Sequence, residues 1–213
     1  MNNDRIKVWD IGVRIFHWTL VLGFTIAWFS GEESELLHSW SGYTVLGLLI
    51  FRIIWGLVGT RHARFSNFIY SPTRIIGYLK SLKNGRPEHY LGHNPAGGLM
   101  VILLLVNLLL VSWTGLEAWG AEGNGPLAQT VGFSIVGNAV ASSGGEDRQA
   151  GKTEADEEYW EELHEFFSNV MLILIAVHIA GVLISSRLHG ENLVKAMITG
   201  YKSKSRDGSR KAS

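Results

Sequence analysis

The chain contains no cysteine among its 213 residues. This absence excludes disulfide bonds, thiolate metal sites, iron-sulfur clusters and covalently attached haem, since all of these need cysteine sulfur. Charged residues are scarce as well, at 18% against 46% hydrophobic residues, and the mean hydropathy is +0.14. The composition is therefore too apolar for a soluble globule. Any redox cofactor must have ligands other than sulfur.

Four runs almost completely lack charge: residues 15–31, 39–53, 97–113 and 166–185 hold a single charged side chain, Arg52. A hydrocarbon core about 30 Å thick is crossed by about 20 apolar residues. We therefore predict an all-α integral membrane four-helix bundle of up-down-up-down topology. The predicted helices span residues 11–30, 39–58, 95–114 and 164–186. No small-residue cleavage site follows the first run, so we expect this helix to be retained rather than removed as a signal peptide.

Basic residues are distributed unevenly between the two sides of this bundle. Two, Arg148 and Lys152, fall on the side that carries the longest loop, and fifteen fall on the opposite side. The fifteen are Arg5, Lys7, Arg61, Arg64, Arg74, Lys80, Lys83, Arg86, Arg187, Lys195, Lys202, Lys204, Arg206, Arg210 and Lys211. By the positive-inside rule the basic side is cytoplasmic, so both termini are predicted to lie in the cytoplasm.

The segments between the helices differ in character. The outer loop, residues 115–163, is long and acidic, and its middle is predicted to be flexible, although the last helix is expected to start before it enters lipid. Residues 72–82 of the inner loop have the pattern of a short interfacial helix. Asn94 and Pro95 are typical of a helix start. We treat residues 1–202 as one membrane domain and predict that the tail, residues 203–213, is disordered.

Four of the eight histidines fall within the predicted helices or at their ends, where ionisable side chains are costly and often functional. His164 and His178 are fourteen residues apart, which places them on one helix face at two depths, about 21 Å apart. The first helix runs outward and places His17 near its inner end. The second runs inward and places His38 at its outer end. Depth therefore pairs His17 with His178 and His38 with His164.

Two stacked histidine pairs suit two b-type haems, because imidazoles from facing helices can fill both axial positions of each iron. Small residues, Gly42, Ser168 and Gly181, lie one turn from three of the four histidines and would leave room for a porphyrin. Arg14, near His17, would be costly in lipid without a partner and could meet a haem propionate. Arg52 can be interpreted in the same way.

The sequence also resembles a known family, the bacterial cytochromes b561 and nickel-iron hydrogenase b-type cytochromes, which are related to membrane subunits of formate dehydrogenases. Its characteristic residues are Arg14-Ile-Phe-His17-Trp18, His38 with Gly42-Tyr43, Phe51-Arg52, and Gly92-His93-Asn94-Pro95. The pair His164 and His178 and the ending 191–200 complete the set, which covers residues 5–202. The resemblance implies two haem b groups with His17, His38, His164 and His178 as iron ligands, and electron exchange with quinone in the bacterial inner membrane.

The resemblance also frames the expected partners. We expect a quinone site near the inner haem, with Arg14, Arg52 and His93 contacting either a propionate or the quinone. Fourteen of the nineteen acidic residues lie on the outer side, which favours a basic periplasmic partner such as a c-type cytochrome. No nucleic-acid partner and no catalytic residue is predicted. The chain would be an electron-transfer cytochrome, a quinone oxidoreductase or the membrane subunit of one.

Other interpretations remain open from the sequence. The same histidines with outer carboxylates could form a transition-metal pathway in a transporter, or the protein could be a membrane anchor whose histidines are structural. Individual residues have simpler explanations too. Arg52 could reach the inner interface, and His93 could belong only to a helix start. His62, His89 and His189 are expected to be surface residues.

Overall fold

The structure, a computed structural model, describes residues 5–84, 90, 92–127 and 146–203. Its elements are, in chain order, β1 (Arg5–Lys7), α1 (Ile11–Ser30), α2 (Glu35–Val58), a 3-10 turn (Phe65–Asn67), α3 (Pro72–Lys83), α4 (Pro95–Ala121), α5 (Glu146–His189), α6 (Leu193–Thr199) and β2 (Tyr201–Ser203). The predicted disordered tail, except for Ser203, and residues 128–145 in the middle of the outer loop, the part predicted to be flexible, lie outside the described part of the chain.

Four helices are long and apolar enough to cross a membrane: Ile11–Ser30, Glu35–Val58, Pro95–Ala121 and Ala155–His189 within α5. Large apolar side chains on them, such as Phe29, Leu57 and Ile173, are more than 60% exposed. Such exposure is expected where lipid, rather than protein, covers a helix. The predicted all-α membrane fold is confirmed.

Three helices are longer than the apolar pattern indicates. α2 begins at Glu35, capped by Ser34, and α4 continues to Ala121. α5 begins at Glu146, so the acidic residues 154–162, which we assigned to the outer loop, are helical. The expected start of the last helix outside lipid is confirmed. The added length of α5 is explained by its composition, because Glu, Ala, Lys and Gln have high intrinsic helix propensity. A helix in water can form from such residues without an apolar stripe.

The helix starts follow side-chain capping. Val13 donates its N–H to Asp10 Oδ1 at 3.0 Å, and Gly97 donates to Asn94 Oδ1 at 2.7 Å. The predicted start at Asn94 and Pro95 is therefore confirmed. α6 is capped by Asn192 and ends at Gly200, which has a φ of +86°. A Cβ atom on Gly200 would also lie 2.7 Å from the Trp9 carbonyl oxygen, so this position requires glycine.

The two ends of the described chain are joined, which the sequence analysis did not predict. β1 and β2 pair in antiparallel fashion, with Ile6 opposite Lys202. Val8 and Trp9 both donate backbone N–H groups to the Gly200 carbonyl, at 2.9 and 3.1 Å. A small core of Val8, Trp9, Val13, Ala63 and Ala196 packs beneath this pairing. Both ends of the described chain therefore lie on one side of the spanning helices.

Contacts divide the chain into two compact units. The first unit comprises residues 1–103 and 174–213, and the second comprises residues 104–173. His17, His38, His93 and His178 belong to the first unit, and His164 belongs to the second.

Candidate functional site

His17 on α1 and His178 on α5 come together within the first unit. Both residues are partly buried, and the two imidazoles are close enough to interact electrostatically. Nδ1 of His17 is buried and has no hydrogen-bond partner among the described residues. The ring also contacts Trp18 edge-on, with 5.0 Å between centroids. This proximity is compatible with the inner pair expected from depth, which stays a prediction.

His38 is oriented by the neighbouring helix. Its Nδ1 lies 2.8 Å from the carbonyl oxygen of Ala27 on α1. A carbonyl can only accept, so Nδ1 carries the proton and Nε2 carries the lone pair. Histidines that bind metals commonly donate their other N–H to a carbonyl in this way.

His164 has a similar arrangement within the second unit. Its Nδ1 lies 3.0 Å from the Val111 carbonyl oxygen and 3.3 Å from Thr114 Oγ1, both on α4. The proton is again on Nδ1 and the lone pair on Nε2. By contrast, Nδ1 of His189 bonds at 3.1 Å to Ser185 within its own helix. His38 and His164 therefore both have Nδ1 bonded to a carbonyl of a neighbouring helix, whereas Nδ1 of His189 bonds within its own helix.

Open space lies beside two of the expected ligands. A Cβ atom built on Gly42, one turn after His38, would meet nothing within 4 Å, and the same holds for Gly181, one turn after His178. Both glycines belong to the first unit. Their positions fit the expectation that small residues leave room beside the histidines.

Arg52 is buried, at 3% exposure, and it reaches the loop that follows the inner end of α2. Its Nη2 donates to the Ala63 carbonyl at 3.1 Å, and its guanidinium lies over the Phe65 ring at 4.7 Å. Gly56 makes this packing possible, since a Cβ there would lie 2.1 Å from that ring. Nη1 of Arg52 has no partner among the described residues.

His93 lies in the same part of the first unit. Its ring packs between Trp9 and Phe68, at centroid distances of 4.7 and 4.5 Å. Burial, followed by the positive charges of Arg52 and Lys202, lowers the pKa of His93 to about 3. Its Nδ1 is buried and without a partner in the described chain. His93 is therefore a packed residue and not only the start of a helix.

Arg14 approaches the C-terminal segment rather than solvent. Its Nη2 donates to the Ile198 carbonyl, and its Nε is buried with no partner among the described residues. Arg14, Arg52 and His93 each retain one unpaired buried nitrogen. The guanidinium nitrogens of Arg14 and Arg52 can only donate and therefore need an acceptor, whereas Nδ1 of the neutral His93 can donate or accept, depending on the tautomer.

His62, which we expected to be a solvated loop residue, is partly buried. Its Nδ1 would lie 3.1 Å from a Cβ on Gly92. Burial, then the charges of Arg61 and Lys202, lower the pKa of His62.

Sequence reasoning also missed Val111, Thr114 and Gly115 beside His164. Thr114 and Gly115 are small or polar residues in an apolar run, which is the only signal that could have marked them.

Comparison with known proteins identifies the family of the chain. The family model for prokaryotic cytochrome b561 matches residues 8–200. A relative from Rhizobium leguminosarum bv. viciae, named "Probable Ni/Fe-hydrogenase B-type cytochrome subunit", is 27% identical over 156 residues. The alignment covers 59% of this chain and 64% of the relative, so the chain spans less than two thirds of that protein. No solved structure matches. Since the family match covers nearly the whole chain, the protein belongs to the prokaryotic cytochrome b561 family of membrane b-type electron-transfer cytochromes.

Proposed function

We propose that this protein carries two haem b groups and moves electrons between quinone and a redox partner. His17 and His178 would hold the inner haem, and His38 and His164 the outer one. Bound haem b supplies a reversible one-electron carrier. Two imidazoles per iron leave no axial position for a substrate, which favours electron transfer over chemistry at the iron. The observation that carries the proposal is that His17 and His178, on two spanning helices of a chain of this family, lie close enough to interact electrostatically.

The residues around the inner pair fit a haem in two respects. The Nδ1 of His17 is buried without a partner among the described residues, which a bound group could supply, and a Cβ on Gly181 would meet nothing within 4 Å, so no side chain obstructs a haem there. The pairing of His38 with His164 rests on sequence depth, with support from the carbonyl bonds that leave the lone pair of each ring on Nε2.

Arg14, Arg52 and His93 each have a buried nitrogen without a partner among the described residues. These nitrogens indicate which groups the region near the inner haem could bind. Arg14 and Arg52 can donate from guanidinium groups, which suit a carboxylate such as a haem propionate. His93 is neutral near pH 7 because its pKa is lowered to about 3. A neutral ring beside a quinone carbonyl can donate one hydrogen bond without adding charge. We therefore assign Arg14 and Arg52 to propionate or quinone binding, and His93 to the same site.

The chemistry expected of the redox partner follows from the negative charge on the outer side. The start of α5 carries the exposed carboxylates Glu158, Glu161, Glu162 and Glu165 on a helix rather than on an irregular loop. An acidic helical surface attracts a basic carrier and raises its association rate at low ionic strength. With the outer side periplasmic, a c-type cytochrome is a partner of suitable chemistry.

The name of the Rhizobium relative suggests a second candidate function, which also involves electron transfer. Its name describes a subunit of a hydrogenase, so this chain could likewise be the membrane subunit of a larger oxidoreductase. Purification in mild detergent separates the two possibilities. A stable complex with a metalloenzyme subunit would favour this second role, and a cytochrome isolated alone would favour the exchange with a soluble carrier.

A visible spectrum tests the proposal directly. The purified protein should show the sharp α-band of low-spin haem b on reduction, with two haems per chain by pyridine haemochrome. A protein that binds no haem would refute the proposal and leave transport or anchoring. Rapid mixing with quinol tests whether the quinone site lies near the inner haem, because that haem should then be reduced first. Reduction of the outer haem first would move the quinone site to the other side.

A further inference from the structure

Helix α4 supplies no expected haem ligand, but three of its residues lie beside the ring of His164. Nδ1 of His164 lies 3.0 Å from the Val111 carbonyl oxygen and 3.3 Å from Thr114 Oγ1. Thr114 lies three residues after Val111, and Gly115 lies four residues after it. The three residues therefore share one face of α4. All of these residues belong to the second unit. These contacts with the ring therefore lie within that unit.

Gly115 determines how closely the ring can approach α4. A Cβ atom at this position would lie 2.8 Å from His164 Cε1 and 3.0 Å from Nδ1. The first of these distances is too short for a carbon contact, so any side chain would force the ring to move. The glycine is required here by the histidine, since α4 runs as a regular helix on both sides of it.

Thr114 completes the arrangement. Its side chain is 2% exposed, and its hydroxyl donates to the carbonyl oxygens of Leu110 and Val111, at 2.9 and 3.2 Å. With its hydrogen used in this way, Oγ1 can only accept from Nδ1–H of His164. The threonine therefore favours the same tautomer as the Val111 carbonyl.

A second contact fixes α5 against α4 close to the ring. Asn107 is 6% exposed, and its Nδ2 donates to the Phe167 carbonyl oxygen at 2.9 Å. Phe167 lies less than one turn after His164. This bond holds the α5 backbone, while Gly115 and Thr114 act on the ring itself.

We propose that Thr114 and Gly115 are positioning residues that set the plane and tautomer of the His164 imidazole, so that Nε2 faces the outer haem iron. The inference rests on the proposed function, in which His164 is an axial ligand. Rotation of an axial imidazole changes the splitting of the iron d orbitals. The arrangement on α4 should therefore control the spectrum of the outer haem and not of the inner one.

The test is Gly115→Ala in the purified, haem-loaded full chain, observed by electron paramagnetic resonance. We expect the low-spin signal of one haem to shift or be lost, and the same signal to disappear in His164→Ala. The signal that disappears in His17→Ala should not change. Gly47→Ala is the matched control, because Gly47 lies opposite His38 on α2 and a Cβ there meets nothing within 4 Å. Unchanged signals in Gly115→Ala, or a shift of the inner haem, would overturn the proposal.

Thr114→Val gives a second measurement if Gly115→Ala does not accumulate in membranes. It removes the hydroxyl and keeps the shape, so the outer haem signal should shift less than in Gly115→Ala, with haem content unchanged. No shift would overturn the role of Thr114. A wild-type protein without haem would refute the proposed function. A haem-replete wild type with unshifted variants would refute only the positioning role.

Discussion

The carboxylate of Asp10 joins three parts of the chain. It caps α1 through the Val13 N–H, and it accepts hydrogen bonds from Trp55 Nε1 at 3.2 Å and from the Thr60 hydroxyl. Burial raises its pKa, but the hydrogen bonds from Thr60, Val13 and Trp55 outweigh this effect, so the pKa lies below 3.8. The start of the first spanning helix is thereby tied to the end of the second.

Replacing Asp10 by alanine should lower the free energy of unfolding by about 1 to 2 kcal/mol, the usual cost of losing a helix cap. Because the folded-state pKa is lowered, the stabilisation is present above the unfolded pKa and is lost as pH falls through the folded pKa. Unfolding of the variant in detergent should therefore depend less on pH below about 4 than that of the wild type. Glu32→Ala, an exposed carboxylate, is the control. Equal stability of Asp10→Ala and wild type would show that the cap is dispensable.

At the scale of helices, the spans were predictable because the bilayer imposes length and apolarity on them. Their continuations in water were predictable only in part: the apolar spacing of residues 159–167 indicated that the last helix starts outside lipid, but neither its extension back to Glu146 nor the end of α4 was predicted. β1, β2 and α6 are short elements that exist through tertiary contacts, such as Gly200 with Val8 and Trp9. Four histidines were selected by depth, and their role as haem ligands stays a prediction. The environments of Arg52 and His93 depend on loop packing that spacing does not encode.

Antiparallel helices allow one pairing of the four histidines by depth. Replacing His17 or His178 by alanine should remove, or convert to high spin, the same single haem, and replacing His38 or His164 should affect only the other. Haem content by pyridine haemochrome and spin state by electron paramagnetic resonance measure this. If His17→Ala and His178→Ala altered different haems, the pairing would be wrong, and His93 or His189 would be the next ligand to test.

The acidic start of α5 leads to a kinetic prediction. Neutralising Asp156, Glu157 and Glu158 together with Glu154 should slow electron exchange with a basic c-type cytochrome, because long-range attraction to the helix is reduced. The rate in wild type should fall as salt is added, and the variant should depend less on salt. Haem content should be the same in both proteins. Stopped-flow rates that do not respond to ionic strength in either protein would exclude a steering role for this helix.

For the whole molecule, the unequal distribution of basic residues predicts orientation. Alkaline phosphatase fused after Gly123 should be active, because this turn follows α4 on the acidic side, and a fusion after Gly85 should be nearly inactive. The pairing of β1 with β2 places the two described ends on one side, so an even number of crossings is required. Activity after Gly85 and none after Gly123 would reverse the orientation of every site.

The contact between Arg14 and Ile198 joins residues that are 184 positions apart. At about 5 to 20 residues per second, the ribosome needs roughly 10 to 40 s between making one and the other. During that interval α1 is in the membrane while the segment that completes its inner end has not been synthesised. If His17 and His178 hold the inner haem as proposed, both ligands are present only after the last spanning helix has been inserted, because His178 is translated long after His17. Assembly of the inner site is thus a late, post-insertion event, and slow folding of the final segment would delay the whole protein.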